Sequence, residues 1–287
     1  MRITNGMLAA RTISDLQANY AAMARAQEQV SSGKRLNRPS DGPADVQASV
    51  RLREGMAALA QHVRNIDVAD RTTATAETAL AGAGEAVQRL KELSLQAANG
   101  TLSSTDRQAM LLEVNQLGQE LVSLANAKVG DDYVFSGHKT ATAPYASFGA
   151  AYAGDHGAIT ARISPGVTVA VNVTADVAFG PALAAASQLA ADLVAGSPPS
   201  AGTIAGLDTG LDGVLSARTQ IGAVMNRLDS TRSFVEASQA AATKMLSDIE
   251  DADMAAVITE ASTRQATYQA ALAVNARVLS KSLIDEM

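Results

Sequence analysis

The chain has 287 residues, of which 47% are hydrophobic, 18% charged and 3% aromatic, and it contains neither cysteine nor tryptophan. The net charge of −6 comes with no basic cluster suited to neutralising phosphates, which argues against nucleic-acid binding. No run approaches the ~20 apolar residues needed to cross a bilayer, and the first residues do not resemble a cleaved secretory signal. A core of aliphatic side chains, many of them alanine, favours closely packed helices.

The first predicted element is an amphipathic helix near the start of the chain. Its apolar residues follow alternating steps of three and four, which places their side chains on one helical face. No proline occurs before position 39, so nothing in this segment forbids a continuous helix. The stripe consists of Ile13, Leu16, Tyr20, Met23 and Val30.

A pair of long helices is predicted next. Residues 44–143 contain no proline, and apolar side chains recur there at helical spacing. Asn99-Gly100 is typical of a helix end, and Ser103-x-x-Asp106 resembles a capping box that opens another helix. The sequence therefore predicts two antiparallel helices over roughly 44–98 and 104–130.

The middle of the chain has a different composition. Six of the nine aromatic residues fall between positions 133 and 179. Residues 158–173 alternate in hydropathy around a Pro-Gly turn, which is the pattern of a β-hairpin. Pro198-Pro199 forms a short stiff connector before the next segment. These features predict a small β-rich insert between helical regions.

Two further helical stripes complete the chain, since residues 200–287 again lack proline. Heptad-like spacing over so many turns predicts coiled-coil-like packing. The predicted fold class is therefore mainly α, with long coiled-coil-like helices from both termini and a small β-rich domain inserted between them. The longer stripe runs from Leu207 to Ile249, and the final one contains Met254, Ile258, Tyr268, Leu272 and Leu279.

Five short motifs stand out at the two ends of the chain and around the insert. They are VSSGKRLN at 30–37, ELSLQAANGTLS at 92–103, YVFSG at 133–137, YAGD at 152–155 and IEDADMA at 249–255. In this combination they resemble the motifs of the flagellin-like hook-associated proteins of the bacterial flagellum. The prolines at 39 and 43 and the ending at 282–287 differ from common flagellins, which favours a junction protein over a bulk filament subunit.

The resemblance implies a domain organisation. An axial terminal coiled coil is expected at 1–40 and 250–287, and a helical rod domain at 41–140 and 185–249. A β-rich outer insert is expected at 141–184.

The resemblance also implies a function and partners. The chain would be a structural subunit that joins the hook-side junction protein to the flagellin filament by self-assembly. The implied partners are further copies of the chain in a ring or helical turn, the first hook-associated protein, flagellin or the filament cap, and a cytoplasmic export chaperone. The implied location is extracellular, on the flagellum, reached without a cleaved signal peptide.

The two terminal stripes are predicted to form an intermolecular core, because a lone helix of ~30 residues has no way to bury its apolar face. Charge supports pairing of the two ends. Residues 1–38 carry a net charge of +4 and residues 248–287 one of −4, and such complementarity favours pairing and register. The predicted assembly-interface residues are Ile13, Leu16, Tyr20, Met23, Val30, Met254, Ile258, Tyr268, Leu272 and Leu279.

No catalytic, cofactor-binding or metal site is predicted. His62, His138 and His156 are far apart in sequence and are expected at the surface, and Ser136 lacks the elbow motif of hydrolases. The acidic cluster at 248–253 lacks the alternating ligands of a calcium loop and is expected to be the solvated start of a helix.

Two other functions stay open from the sequence. A short flagellin would share the motifs but would polymerise without limit, whereas a junction protein forms about one helical turn. A soluble coiled-coil adaptor would share the heptad stripes but would remain inside the cell. An enzyme is the least favoured class, because no catalytic constellation is recognisable.

Overall fold

The computed structural model describes the backbone of residues 5–99 and 103–284 and the side chains of residues 7, 10–99 and 103–275. The predicted mainly α fold is confirmed, and within this part of the chain no helix is long and apolar enough to cross a membrane. The helices are α1 Asn5–Ser32, α2 Pro43–Ala98, α3 Ser104–Ala125, α4 Ala175–Ala178, α5 Gly180–Ala195, α6 Ala201–Glu250 and α7 Met254–Ile284. The strands are β1 Lys128–Val129, β2 Asp132–Tyr133, β3 Thr160–Ser164 and β4 Val167–Ala170.

The chain divides into two compact units. The terminal unit comprises residues 1–58 and 239–287, and the central unit comprises residues 59–238. Buried apolar side chains are distributed very unevenly between them. Among the described residues, Ala26 is the one fully buried hydrophobic residue of the terminal unit, and all the others belong to the central unit. Only the central unit therefore has a closed hydrophobic core within the described chain.

In the central unit α6 packs antiparallel to α2. Arg232 pairs with Asp67 at 2.7 Å and Lys91 pairs with Asp208 at 2.5 Å, so residue numbers rise along one helix as they fall along the other. These ion pairs are accessible to water and contribute little individually, and burial of the apolar seam supplies most of the stabilisation. The fully buried seam includes Leu80, Val87, Leu90, Leu207, Val214 and Ile221.

The predicted antiparallel partner of α2 is α3. Gly82 lies against Leu124 and Arg89 pairs with Glu113 at 2.7 Å, which confirms the antiparallel arrangement. The α2 range agrees with the prediction to within one residue, whereas α3 ends at Ala125 and not near 130.

Local signals at both ends of α3 explain its length. The Ser103 hydroxyl accepts a hydrogen bond from the Asp106 amide at 3.2 Å, and the Asp106 carboxylate accepts one from the Ser103 amide at 3.2 Å, so the predicted capping box is confirmed. The Asp106 carboxylate also accepts a hydrogen bond from the Ser103 hydroxyl at 2.7 Å, and this bond, followed by the one from the Ser103 amide, lowers the pKa of Asp106. At the other end, the Asn126 side chain donates to Tyr145 O at 2.7 Å and accepts from Tyr145 N at 3.0 Å. The chain then turns into β1 instead of continuing the helix.

The predicted β-hairpin is present. Strands β3 and β4 pair antiparallel, and Gly166 between them adopts a φ of 73°, a conformation that glycine tolerates best. The hairpin covers a second, smaller apolar cluster in the central unit. There Ile163 and Val169 of the hairpin pack with Ile66 of α2 and Leu228 of α6.

The YVFSG and YAGD motifs form one local structure. The Tyr152 hydroxyl lies 2.8 Å from Asp155 O and 3.1 Å from Phe135 O, and burial raises the pKa of this phenol to about 12. The Asp155 carboxylate accepts hydrogen bonds from the backbone amides of Gly157 and His138 at 2.9 and 2.7 Å, which lower its pKa. Two motifs separated by 14 residues of loop thus stabilise each other's backbone.

The predicted position of the histidines is only partly right. His138 and His156 are exposed, as expected. The prediction is wrong for His62, which is 8% exposed and lies with Nδ1 3.5 Å from Arg162 O. This face of α2 is covered by the hairpin, a contact about 100 residues away in sequence that helical periodicity alone does not reveal.

Glycine allows α5 to approach α6 closely. A Cβ added at Gly210 would lie 2.6 Å from the Ala182 Cα, and one at Gly206 would lie 3.0 Å from the Ala185 Cβ. The spacing of four residues places both glycines on one face of α6, opposite the small side chains of α5. Backbone-to-backbone contact at this seam therefore requires glycine and alanine.

We predict that Gly210→Ala destabilises the central unit by about 1–3 kcal/mol, because the added methyl forces the two helix backbones apart. Gly222→Ala is the matched control in the same helix, where an added Cβ meets nothing within 4 Å. That change should stabilise the protein by about 0.5–1 kcal/mol through helix propensity. Urea unfolding of the two variants tests this, and equal shifts of the two midpoints would contradict the close-packing argument.

Candidate assembly interface

Helices α1 and α7 pack along each other in the terminal unit. The rings of Tyr20 and Tyr268 lie 5.7 Å apart at an angle of 53°, and Ala26 of α1 is buried. The two predicted terminal helices therefore exist and contact each other within one chain. Contact along one seam leaves the other sides of both helices facing outward.

The apolar stripes of these helices are only partly covered. Ile13 is 56% exposed, Ile258 50% and Leu272 44%, so large aliphatic side chains of both stripes remain accessible to water. Tyr20 and Met254 are exposed too, whereas Leu16, Met23, Val30 and Tyr268 are half-buried. The side chain of Leu279 lies outside the described residues. The stripe residues thus lie on adjoining helices with much of their apolar surface in water.

Exposed apolar side chains continue beyond the two predicted stripes. In the terminal unit Val50 of α2 is 49% exposed and Met245 of α6 is 56% exposed. Single exposed aliphatic residues are ordinary, but a compact unit with so little buried apolar surface is not. Sequence periodicity placed Val50 and Met245 within rod helices, so this extension was missed.

The breaks between the helices of the terminal unit form a compact junction. Gly33 ends α1 with a φ of 68° and donates its amide to Gln29 O at 2.9 Å, the usual geometry of a glycine C-cap. The linker that follows runs antiparallel to the linker between α6 and α7. Arg35 N donates to Glu250 O at 2.7 Å, and Ala252 N donates to Gly33 O at 3.0 Å. The two helix breaks are therefore held side by side.

The Glu250 carboxylate is the centre of this junction. Its side chain is only 6% exposed, and it accepts hydrogen bonds from Lys34 Nζ at 2.7 Å and from Arg53 Nη2 at 2.7 and 2.8 Å. The hydrogen bonds from Arg53, followed by those from Lys34, lower the pKa of Glu250, although burial acts in the opposite direction. The prediction of a solvated acidic cluster is therefore wrong for Glu250. Its partners are nearly 200 or more residues away in sequence.

Neighbouring residues complete the junction. Arg35 Nη2 donates to Asp45 at 2.9 Å and to Ile249 O at 2.8 Å. Asp253 does start a helix as predicted, because its Oδ1 accepts from the amides of Ala255 and Ala256 at 3.0 and 3.3 Å. The motifs VSSGKRLN and IEDADMA therefore meet in space and form one structural element.

The predicted charge complementarity acts mainly at this junction. Between the described residues of 1–38 and 248–287, Lys34–Glu250 is the one ion pair. Arg11 and Arg25 of α1 form no ion pair with α7 in the described part of the chain. The Lys34–Glu250 ion pair thus fixes where the two helix breaks meet. Away from this junction, apolar contacts hold α1 and α7 together.

We predict that Glu250→Gln destabilises the junction by about 1–3 kcal/mol at neutral pH, since charge-assisted hydrogen bonds are lost. Because the folded-state pKa of Glu250 is lowered, its stabilisation is present above the unfolded-state pKa and disappears as the pH falls through the folded one. The variant and the unmodified chain should therefore converge in acid. Hydrogen exchange of the Arg35 and Ala252 amides, followed as a function of pH, measures the local stability of the junction.

Glu28→Gln is the control for this prediction. Glu28 pairs with Arg38 at 2.8 Å in the same unit, but both side chains are well exposed. Its neutralisation should barely change exchange at the junction at any pH. An equal effect of the two substitutions would show that the buried carboxylate has no special role.

Comparison with known proteins places these features in a family. The model of the bacterial flagellin N-terminal helical region matches residues 3–140, and that of the bacterial flagellin C-terminal helical region matches residues 204–285. Flagellar hook-associated protein 3 of Salmonella typhimurium is 29% identical over 175 residues, covering 61% of this chain and 55% of the relative. The chain thus spans about half the length of that relative and of its Escherichia coli counterpart.

Two further matches cover more of the molecule. A flagellin of Listeria monocytogenes is 27% identical over 91% of this chain and 89% of its own length. The solved structure of a flagellar hook-associated protein from Vibrio parahaemolyticus matches with a TM-score of 0.65 and 27% identity, over 74% of this chain and 100% of the solved one. With both flagellin regions matched and the long terminal helices present, the chain belongs to the flagellin-like family of bacterial flagellar proteins, whose members include hook-associated protein 3.

Proposed function

We propose that the chain is a structural subunit of the bacterial flagellum that joins the hook-side junction protein to the flagellin filament. The observation that carries this proposal is the terminal unit with almost no core of its own. Its helices expose Ile13, Ile258 and Leu272, and only Ala26 is a fully buried hydrophobic residue among those described. A subunit that assembles through this surface gains the burial that the single chain lacks.

Self-assembly follows from this geometry. Burying a fully exposed large aliphatic side chain contributes about 1.5–3 kcal/mol, and a half-exposed one roughly half of that, so the stripe residues together favour association of neighbouring copies. Contacts between unlike faces of identical subunits repeat around an axis, and they close into a ring or continue as a helix. The interface proposed from the sequence, Ile13 to Val30 and Met254 to Leu279, would lie in the interior of that assembly.

The domain organisation proposed from the family resemblance fits this role. The axial part would comprise 1–40 and 250–287, and the rod would comprise 41–140 and 185–249. The residues 141–184 would form an outer part, because they include the β3–β4 hairpin and the Tyr152 loop. The exposed Val50 and Met245 support some participation of the adjoining rod segments in subunit contacts.

The proposed partners are other copies of this chain, the first hook-associated protein, flagellin or the filament cap, and a cytoplasmic export chaperone. The proposed location is extracellular, on the flagellum, after export without a cleaved signal peptide. A chaperone would have to cover the exposed α7 stripe before export. The role is structural and not enzymatic, and it requires no cofactor or metal.

A short flagellin is the second candidate function. The flagellin that matches over most of both chains favours it, because its length is close to that of this chain. The two functions differ in the number of subunits that assemble. A junction protein stops at a ring or a single helical turn, whereas flagellin continues into a filament.

We predict that Ile258→Glu combined with Leu272→Glu abolishes assembly while leaving the isolated monomer folded. Both side chains are about half exposed in the single chain, so the charges remain solvated there but would be buried in an assembly. Removal of residues 254–287 should have the same effect. Complementation of a deletion strain, together with circular dichroism of the purified monomer, measures both consequences.

Thr263→Glu provides the control for this variant. Thr263 is an exposed residue of α7 that does not belong to the apolar stripe. It should support normal assembly, since a charge at this position stays in water. Filament formation by the double variant would refute the assignment of the stripe to an intermolecular core.

We predict that immunogold labelling of intact flagella gives a narrow band between hook and filament. A junction subunit is confined to this boundary by its limited copy number. Antibody against the central unit is suitable because this unit has a closed core. Label along the whole filament would instead identify the chain as a flagellin.

A further inference from the structure

One cavity of the central unit is an open groove beside the β3–β4 hairpin. Its volume is about 810 Å³, and it is bordered by α2, by the β1–β2 hairpin and by strand β3. Apolar side chains line much of the groove, and Val68 of α2 is 55% exposed there. The aliphatic part of the lining consists of Val68, Ala69, Val129, Val134, Ile159, Ala161 and Val171.

One wall of this groove is an unpaired strand edge. Val171 N donates to Ile159 O at 2.9 Å, so Ile159 and Ala161 direct their backbone groups towards β4. Thr160 and Arg162 must then direct theirs away from β4. Asn65 of α2 confirms this direction, because its side chain donates to Arg162 O at 2.8 Å. In the described chain, Thr160 N, Thr160 O and Arg162 N have no hydrogen-bond partner.

The charges around the groove are unbalanced. Arg71 and Arg162 line it, and within the described residues neither guanidinium forms an ion pair. Asp132 is the one carboxylate in the lining. An excess of unpaired positive charge beside an apolar floor favours a ligand with an apolar side and a negative charge.

We propose that this groove binds an extended, acidic peptide segment of another polypeptide, which adds to β3 as a third strand. Its backbone would pair with Thr160 N, Thr160 O and Arg162 N, and an apolar side chain would cover the exposed Val68. An acidic side chain would face Arg71 and Arg162. Strand addition of this kind obtains affinity from main-chain hydrogen bonds and specificity from alternate side chains.

The free edge is short, so a single segment binds weakly. Three backbone groups are available, and each net hydrogen bond contributes modestly. Weak strand addition becomes effective when many copies are held together, because the effective concentration of each segment is then high. The groove is therefore suited to reinforcing an assembly that other surfaces hold together.

Proline substitution at the two edges of the hairpin tests the proposal. Thr160→Pro removes an amide that faces the groove without removing a hydrogen bond of the β3–β4 ladder. Thr168→Pro is the matched control, because Thr168 pairs with Arg162 in register and its amide faces away from β3 on the opposite edge. Equal thermal midpoints of the two variants and of the unmodified chain would show that the β3–β4 hairpin is intact in each variant.

The probe is the capped peptide Val-Thr-Val-Asp-Val, titrated into the isotope-labelled full chain and followed by NMR. Amide signals of Thr160 and Arg162 should shift, and the dissociation constant should rise at least tenfold in the Thr160→Pro variant and less than twofold in the Thr168→Pro variant. A peptide with Lys in place of Asp should bind at least threefold more weakly. No shift at these amides, or equal binding by both proline variants, would overturn the proposal.

A charge reversal provides an independent test should the Thr160→Pro variant fail to fold. Arg162 is exposed, so Arg162→Glu leaves the hairpin core unchanged. This variant should prefer the Lys peptide over the Asp peptide, the reverse of the unmodified chain. An unchanged preference would refute the role of Arg162. The measurement uses the monomer, and its result is independent of whether the chain acts at a hook–filament junction.

Discussion

A pair of amphipathic helices can cover only the sides that face each other, and this limit governs the terminal unit. Tyr20 and Tyr268 meet at the α1–α7 seam and Ala26 of α1 is buried, yet Ile13 and Ile258 remain about half exposed. Two helices cannot enclose a core in the way that the four long helices of the central unit do. In the proposed assembly, neighbouring molecules would supply the burial that the single chain lacks.

The junction around Glu250 shows what the two ends of the chain require for that assembly. Helix α1 stops at Gly33 and helix α6 stops at Glu250, and backbone hydrogen bonds hold these two breaks together. A carboxylate that is 6% exposed would be costly without partners, so Lys34 and Arg53 are needed to keep it ionised. The ion cluster specifies which residues meet, and thereby fixes the register in which α1 and α7 leave the junction.

Much of the fold could be predicted from the sequence, because its signals are local. The absence of proline predicted the long helix α2, the Ser103–Asp106 capping box predicted the start of α3, and a Pro-Gly turn predicted the β3–β4 hairpin. The features that were missed depend on partners distant in sequence. Gly210 is explained only by Ala182 on α5, and Glu250 only by Lys34 and Arg53. The motifs identified the segments that are structurally special, but helical periodicity does not show which segments contact each other in the fold.

The contrast between the two units suggests how such a subunit can be both stable and competent to assemble. Free energy of folding comes from apolar area removed from water, and the central unit removes far more of it per residue. Its core is closed within the single chain and needs no burial from neighbouring molecules. The terminal unit relies on one seam and one buried ion cluster, and in the proposed assembly subunit contacts would add the burial that it lacks. In the proposed assembly, folding of the central unit and association of the terminal unit would be separate steps, so a substitution on the exposed stripe would block assembly without unfolding the protein.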